Sequence, residues 1–261
     1  MKNKLFAILS GGFLLLQVSS CEGILENIYD TPSGITAVKE HRLVIDATSW
    51  GDWYYIDFDS LLMLAESKDT VALRKAQTCF LPYPVPKQAA DATPDRKTGI
   101  YSYWFDVFGK GISVNEKRGF VPTAAQPEPA SWSIAVHRNN VRTNGGAAIE
   151  TQYTSFEELP ANSAVFTGTD FREDEWSENE VWADESRMLS SIIGCQGIEI
   201  NKVLSSWLRI EIPPMPPVFT LNRHVYVIRL RNGRHAAVQL ENYMNEKGEK
   251  CWLTIKYKYP Y

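Results

Sequence analysis

The sequence contains few residues that bind zinc. Only four of its 261 residues are His and four are Cys, and none of them form a Cys-x-x-Cys or His-x-x-x-His pair. These absences exclude a zinc finger, a HExxH metalloprotease and a thioredoxin-type redox site. Methionine is also scarce, with five residues including the initiator, so each possible thioether ligand for a soft metal can be considered individually.

Extremes of composition and the common catalytic motifs are missing as well. Hydrophobic residues make up 44% and charged residues 22%, which excludes disordered, collagen-like and coiled-coil proteins. There is no Gly-x-Ser-x-Gly elbow, P-loop or dinucleotide fingerprint, so no enzyme class is indicated. Acidic residues are abundant, and the sequence leaves a glycoside hydrolase dyad open without locating one.

The N-terminus has the pattern of a secretory signal. Lys2 and Lys4 precede a short apolar run, and the segment from Val18 to Cys21 resembles a bacterial lipobox, whose cysteine is acylated. We therefore interpret residues 1–20 as a signal peptide, Cys21 as the lipidation site and residues 21–40 as a lipid-anchored tether. The alternative is ordinary signal cleavage beside an incidental cysteine.

Removal of the signal makes the chain more acidic. Without Lys2 and Lys4, 25 of the 27 basic residues remain against 31 acidic ones, which disfavours nucleic-acid binding. Besides Cys21, the mature chain keeps Cys79, Cys195 and Cys251. At most two of these can pair, so a dense disulfide scaffold is excluded.

Most of the mature chain has strand-like patterning. The segments richest in aromatic and β-branched residues or in period-two alternation are 43–45, 53–56, 101–108, 131–137 and 253–259. In the segment 131–137, Trp132, Ile134 and Val136 are predicted to share one face. No repeat or linker interrupts residues 41–261, so these are predicted to form a single all-β domain of mostly antiparallel strands.

An Asn-Gly pair at 232–233 predicts a β-hairpin with a two-residue type I′ turn. That turn would pair Val227 with Val238 on an apolar face. His224 and His235 would share the other face about 20 Å apart, too far to bind one metal, so both are interpreted as structural.

Other segments are predicted to be helix or loop. The apolar stripe from Ser60 to Ala76 predicts one or two short helices, and the proline-rich stretch 82–99 predicts a long loop. The acidic stretch from Asp170 to Arg187 is interpreted as a solvated surface loop. Its two tryptophans, Trp176 and Trp182, are unusual for such a loop.

The segment Ile212–Pro217 contains four prolines around Met215. Proline fixes φ and disfavours a central strand, so Met215 is predicted to be displayed on a stiff loop. A thioether in that position suits either a soft metal, copper or haem iron, or the covering of a core edge.

Several segments together resemble the HmuY-like haem-binding lipoproteins. The strongest part is Trp132 to Arg138 followed by Val141 to Gly146, and the remaining segments follow in the same order: 206–208, 221–223, the strand to Arg229, 238–243 and 254–260. The resemblance covers Arg42 to Tyr261, with a long extra segment around 61–110.

This resemblance implies an all-β binding protein, not an enzyme, whose long loops grip haem (iron protoporphyrin IX). Family members are outer-membrane lipoproteins, exposed on the cell surface or released. They take haem from host haemoproteins, and a TonB-dependent outer-membrane haem receptor is the implied recipient. Their iron has two axial ligands, His and His in some members and Met and Met in others.

The two loop regions that carry the ligands in this family contain no histidine here. The loop after Trp207 and Leu208 contains Met215, and the loop before Cys195 contains Met188. The resemblance therefore implies haem ligation by Met188 and Met215. The alternative is a surface glycan-binding lipoprotein, in which the eight Trp and twelve Tyr would supply stacking platforms.

Overall fold

Antiparallel strands are the predominant secondary structure of the described residues. The computed structural model describes residues 41–86, 101–106, 111–119, 125–184, 192–211 and 216–261. The strands are Arg42–Asp46 (β1), Asp52–Ile56 (β2), Pro82–Pro84 (β3), Tyr101–Asp106 (β4), Gly111–Gly119 (β5), Ile134–His137 (β6), Asn140–Thr143 (β7), Ala147–Glu150 (β8), Arg172–Glu173 (β9), Glu175–Asp184 (β10), Ile192–Ile200 (β11), Leu208–Glu211 (β12), Val218–Leu221 (β13), Tyr226–Arg229 (β14), His235–Met244 (β15) and Lys250–Lys258 (β16). The helices are Phe58–Glu66 (α1), Thr70–Thr78 (α2), Lys202–Ser205 (α3) and the 3₁₀ turn Ser163–Phe166.

These strands form four sheets. The largest has the order β1-β16-β15-β14-β8-β9, and two four-stranded sheets have the orders β3-β2-β6-β7 and β10-β11-β4-β5. The fourth is the hairpin β12-β13. Every strand pair among the described residues is antiparallel, so the prediction of an all-β fold is confirmed.

The sheet β3-β2-β6-β7 is buried on both faces. Side chains alternate between the two faces along each strand, so neighbouring residues contact different cores. Ile134 and Val136 face the main core, which this sheet shares with the six-stranded sheet. Trp132 and Ala135 face a second core, shared with Val181 and other residues of β10 and β11. The prediction that Trp132 shares a face with Ile134 and Val136 is therefore wrong.

Two short helices follow β2, as the apolar stripe predicts. Asp57 caps α1 by accepting bonds from the backbone N–H groups of Asp59 and Ser60, and Asp69 caps α2 in the same way through Ala72. The lysine and aspartate at 68–69 separate the helices. Among the described residues, no helix is long and apolar enough to cross a membrane.

The hairpin β14–β15 has a different register from the one predicted. Tyr226 pairs with Val238 and Val227 with Ala237, because the loop has three residues, 231–233, ending in Gly233 at φ 80°. A shift of one residue exchanges the faces of a strand. Tyr226 and Ile228 therefore face the main core together with Val238. The predicted two-residue turn had placed Val227 on that face.

Two predicted loops contain strands. The acidic stretch 170–187 forms β9 and β10 over its described part, because its apolar residues Val181 and Trp182 pack onto neighbouring elements. In the proline-rich stretch, β3 is an edge strand that, among the described strands, pairs with β2 alone. Proline is tolerated on an edge because its missing N–H is not needed there.

Some predictions concern residues that lie outside the described ranges. The signal peptide 1–20, the lipidation site Cys21 and the tether 21–40 are among them, so these assignments remain predictions. Of the other cysteines, Cys79 is exposed and Cys251 is buried, and both are free thiols. They therefore do not form a disulfide with each other.

Candidate functional site

The two predicted haem ligands lie in the connections of two hairpins. Met188 lies between β10 and β11 and Met215 between β12 and β13, in segments outside the described residues. The assignment of both methionines as iron ligands therefore remains a prediction. The strands on either side of each connection are described, and their positions locate the candidate site.

The hairpin β10–β11 is the longer of the two. Its pairing runs from Glu175 and Ile200 at one end to Asp184 and Gly194 at the other, with two register shifts. A side chain at Gly197 would place its Cβ 2.6 Å from the Ser177 carbonyl oxygen, so only glycine lets the strands approach this closely.

Trp182 lies near the end of β10 and holds this strand in place through an aromatic stack. Its indole lies on that of Trp50, with centroids 3.5 Å apart and planes 13° apart. The guanidinium carbon of Arg138 lies 3.4 Å from the centroid of the Trp50 ring. Two groups this close cannot share one face of an indole, so Trp50 is sandwiched between Trp182 and Arg138.

Arg138 is a buried cation. Its side chain donates to the Thr48 carbonyl oxygen at 2.8 Å, and burial lowers the pKa of the guanidinium. The described residues offer it no carboxylate within ion-pair distance. The indole of Trp50 therefore supplies much of the compensation that buried charges require.

Glu180 gives β10 a second attachment. Its carboxylate accepts from the Asn140 amide at 3.0 Å and from the Ser177 hydroxyl at 2.7 Å. Asn140 belongs to β7, so the contact joins β10 to the sheet buried on both faces. The acidic residues of this stretch therefore serve partly as hydrogen-bond acceptors within the fold.

The shorter hairpin, β12–β13, rests on the main core through one of its faces. Ile210, Phe219 and Leu221 pack against the core, whereas Val218 on the other face is 42% exposed. Glu211 pairs with Val218 where the strands end. This period-two alternation is that of a strand pair buried on one side.

Phe219 also forms an aromatic stack. Its ring lies parallel to that of Tyr243 on β15, with centroids 5.6 Å apart and planes 4° apart. The ammonium of Lys250 lies 5.4 Å from the Phe219 ring and 5.5 Å from the Tyr243 ring. The second hairpin is thus attached to the six-stranded sheet by a stack with a nearby cation, as the first is attached through Trp50.

A short helix joins the two hairpins. β11 ends at Ile200, Asn201 caps α3 by accepting from the Leu204 N–H at 3.0 Å, and β12 begins at Leu208. The buried Trp207 donates from its indole to the Asn139 carbonyl oxygen at 2.8 Å. The bases of both hairpins are therefore held next to the turn between β6 and β7.

The histidines of the described residues occupy separate places in the fold. His137 is buried and donates to the Asp52 carbonyl oxygen at 3.0 Å, while His224 lies 2.5 Å from Glu150. His235 packs edge-on against Phe171. Within the described ranges, no three His, Cys, Asp or Glu side chains are grouped to hold a metal ion. The interpretation of His224 and His235 as structural agrees with these contacts.

A cavity of about 380 Å³ lies between the start of α1 and the β14–β15 loop. Seven of its nine lining residues are polar or charged, and the carboxylates of Asp57 and Asp59 are already bonded to protein donors. Trp132 is only 8% exposed there. Haem has a large apolar face, so this cavity does not suit it, and the buried indole offers no open platform for a sugar ring.

Sequence reasoning missed Trp50, Arg138 and Tyr243 as residues that support the candidate site. Trp50 is far from Trp182 in sequence, and no local pattern links a turn residue to a particular strand. The one available signal in the sequence was the presence of two tryptophans in the acidic stretch. It indicated that these side chains contact another part of the protein, but it did not identify which part.

Comparison with known proteins supports the family resemblance. The family model described as HmuY protein matches residues 49–257. No curated protein sequence matches the chain. Among solved structures, a protein of Bacteroides vulgatus ATCC 8482, described as an HmuY-like haem-binding protein, is 29% identical, with a TM-score of 0.57 over 88% of this chain and 99% of that one.

Two further structures share the fold. A protein of Bacteroides fragilis NCTC 9343 described as a lipoprotein is 26% identical, with a TM-score of 0.53 over 87% of this chain and 95% of that one. The apo HmuY analogue of Tannerella forsythia is 21% identical, with a TM-score of 0.53 over 87% of this chain and 97% of that one. With the family model matching most of its length, the chain belongs to the HmuY family.

Proposed function

We propose that the protein is a haem-binding protein, not an enzyme, and that the thioethers of Met188 and Met215 are the axial ligands of the iron. The observation that carries the proposal is membership of the HmuY family, combined with 29% identity to a Bacteroides vulgatus protein described as haem-binding. The family model matches residues 49–257, a range that includes both hairpins.

The topology of the hairpins supports this choice of ligands. Met215 is three residues from Val218, and Met188 is four residues from both Asp184 and Ile192. An extended chain spans at most about 3.6 Å per residue, so covalent bonds keep the two Cα atoms within about 11 and 14 Å of a described strand end. Because α3 joins the end of the first hairpin to the start of the second, a ligand carried by each could approach one haem.

The chemistry of the remaining residues supports sulfur ligation. Each histidine that could compete for iron is packed against, or bonded to, other parts of the fold. Thioether sulfur is a soft ligand that suits haem iron and has no protonation step near neutral pH. Met63 on α1 and Met244 on β15 belong to neither connection, and Met244 is buried with its sulfur 3.2 Å from the Lys250 ammonium.

Titration with haemin tests the proposal. The purified protein is expected to give a shifted and sharpened Soret band that saturates at one haem per chain. The alternative, a glycan-binding lipoprotein, predicts no shifted band and retention on polysaccharide columns. Free haemin at the same concentration and pH provides the baseline.

We also propose that Cys21 is acylated and anchors the protein to the outer membrane with the domain 41–261 facing outward. The lipobox-like sequence supports this, as does the 26% identity to a Bacteroides fragilis protein described as a lipoprotein. An alkyne-labelled fatty acid should be incorporated into the wild type and lost in Cys21→Ser. Protease treatment of intact cells should then digest the wild-type domain.

The proposed source of haem is a host haemoprotein, and the proposed recipient is a TonB-dependent outer-membrane receptor. Membership of the family supports both proposals, and both require haem exchange without chemical change. Mixing the haem-free protein with methaemoglobin is expected to move the Soret band to the position found with haemin alone. An unchanged methaemoglobin spectrum would contradict direct capture.

A further inference from the structure

Both hairpins of the candidate site are attached to neighbouring elements in the same way. Trp182 of β10 stacks on Trp50, which packs against Arg138. Phe219 of β13 stacks on Tyr243, near Lys250. Each hairpin therefore has one aromatic ring held against a second ring and a cation that belong to other parts of the chain.

The first stack is fixed from behind. Arg138 has a left-handed backbone conformation, with φ 55°, at the turn between β6 and β7, and its guanidinium is held by the Thr48 carbonyl oxygen. Trp50 can move away from Arg138 only by leaving a buried cation without its aromatic neighbour. The position of Trp50 in turn fixes Trp182, which lies two residues before Asp184, where β10 ends and the connection that carries Met188 begins.

The second stack is attached to the six-stranded sheet. Tyr243 is 8% exposed and lies on β15, beside β16, which carries Lys250. The Lys250 ammonium is also 3.2 Å from the Met244 sulfur. Phe219 follows Val218, the first residue of β13, which begins three residues after Met215. The ring contact therefore acts at the end of β13 that adjoins the proposed ligand.

Two axial ligands must face each other across one iron atom, so the hairpins that carry them need a defined separation. We propose that Trp50 and Tyr243 are positioning residues that set this separation by stacking on Trp182 and Phe219. This inference rests on the proposed haem function with Met188 and Met215 as ligands. Neither Trp50 nor Tyr243 is proposed to touch the iron.

Haem titration of Trp50→Ala and Tyr243→Ala tests the inference. Each variant is expected to bind haem about 3- to 10-fold more weakly, the scale that an aromatic pair contributes. Part of the bound haem should also change from a six-coordinate to a five-coordinate or mixed spectrum. Trp50→Phe and Tyr243→Phe keep an aromatic ring, and should restore most of the six-coordinate spectrum.

Phe166→Ala provides the matched control. Phe166 contacts Tyr261 at 6.4 Å between ring centroids and belongs to neither hairpin, so this variant should keep the wild-type spectrum and affinity. If Trp50→Ala does not fold, Trp50→Leu keeps an apolar side chain but removes the planar stack, and it should show the same spectral change.

The possible failures are distinguishable. A wild-type protein that binds no haem overturns the proposed function and this inference together. If the wild type gives the six-coordinate spectrum and the folded Trp50 and Tyr243 variants reproduce it with unchanged affinity, the inference alone is overturned. A loss of affinity with the spectrum unchanged in all variants also overturns it, because general destabilisation would explain that result.

Discussion

The imidazole of His137 donates from Nδ1 to the carbonyl oxygen of Asp52 at 3.0 Å, inside the protein. Burial lowers the pKa of His137 from 6.5 to about 4, although the bond to the Asp52 carbonyl opposes this shift. The histidine therefore stays neutral in the folded protein at mildly acidic pH. Its contact joins β6 to β2 in the sheet that both hairpins depend on.

Acidification should destabilise the protein through His137. Between pH 6.5 and about 4, the unfolded chain binds a proton that the folded chain does not. The free energy of unfolding is therefore unaffected by this group above pH 6.5 and falls by about 3 kcal/mol across that window. Urea unfolding at several pH values should show a shallower dependence in His137→Gln. Parallel profiles for variant and wild type would contradict the assignment.

Haem binding should tolerate mild acid and strengthen on reduction. A histidine ligand is protonated below about pH 6.5, whereas a thioether is not, and thioethers prefer the softer Fe(II). Soret titrations at pH 7 and pH 5.5 should therefore give similar affinities, and dithionite should increase the affinity. Equal or weaker binding after reduction would argue against two methionine ligands.

Trp207 should be essential for the stability of the hairpin bases. It is fully buried in the main core, and its indole N–H is bonded to the Asn139 carbonyl oxygen. Trp207→Ala is expected to cost about 3–5 kcal/mol of unfolding free energy. Trp207→Phe keeps most of the packing and should cost about 1 kcal/mol through the lost hydrogen bond. Denaturant unfolding of both variants measures the difference, and equal losses would contradict this account.

Gly197 should not tolerate a side chain. An added Cβ would lie 2.6 Å from both the Ser177 carbonyl oxygen and the Trp176 ring, and a backbone oxygen can move only if β10 and β11 separate. Gly197→Ala is therefore expected to destabilise the protein by about 1–3 kcal/mol. A thermal unfolding midpoint equal to that of the wild type would show that the hairpin has room at this position.

Local patterns predicted the strands and helices well because the formation of these elements depends on residues that are near each other in the sequence. The content of β-branched and aromatic residues identified β1 and β2, alternation identified β16, and the apolar stripe identified α1 and α2. The β14–β15 register was wrong because a two-residue and a three-residue loop can contain the same Asn-Gly pair, and only packing decides between them. The Tyr226 side chain, fully buried in the main core, indicates which alternative the fold adopts.

The supports of the candidate site could not be predicted in this way. Trp50 lies in the loop between β1 and β2, Arg138 in the turn between β6 and β7, and Trp182 on β10. They come together only in the folded protein, so their stack leaves no periodic signal. The acidic stretch was predicted to be a loop because its charges outnumber its apolar residues, yet Val181 is buried in the second core and Trp182 stacks on Trp50. Membership of the family, by contrast, follows from motifs spread along the chain.

The central claim is that Met188 and Met215 both ligate haem iron, and the most direct test is the absorption spectrum of the haemin complex of each methionine variant. Met188→Ala and Met215→Ala should each lose the six-coordinate spectrum. Met63→Ala, which removes a methionine that is 62% exposed on α1, should keep the wild-type spectrum. Six-coordinate spectra that stay unchanged in both ligand variants would contradict the account and place the ligands elsewhere.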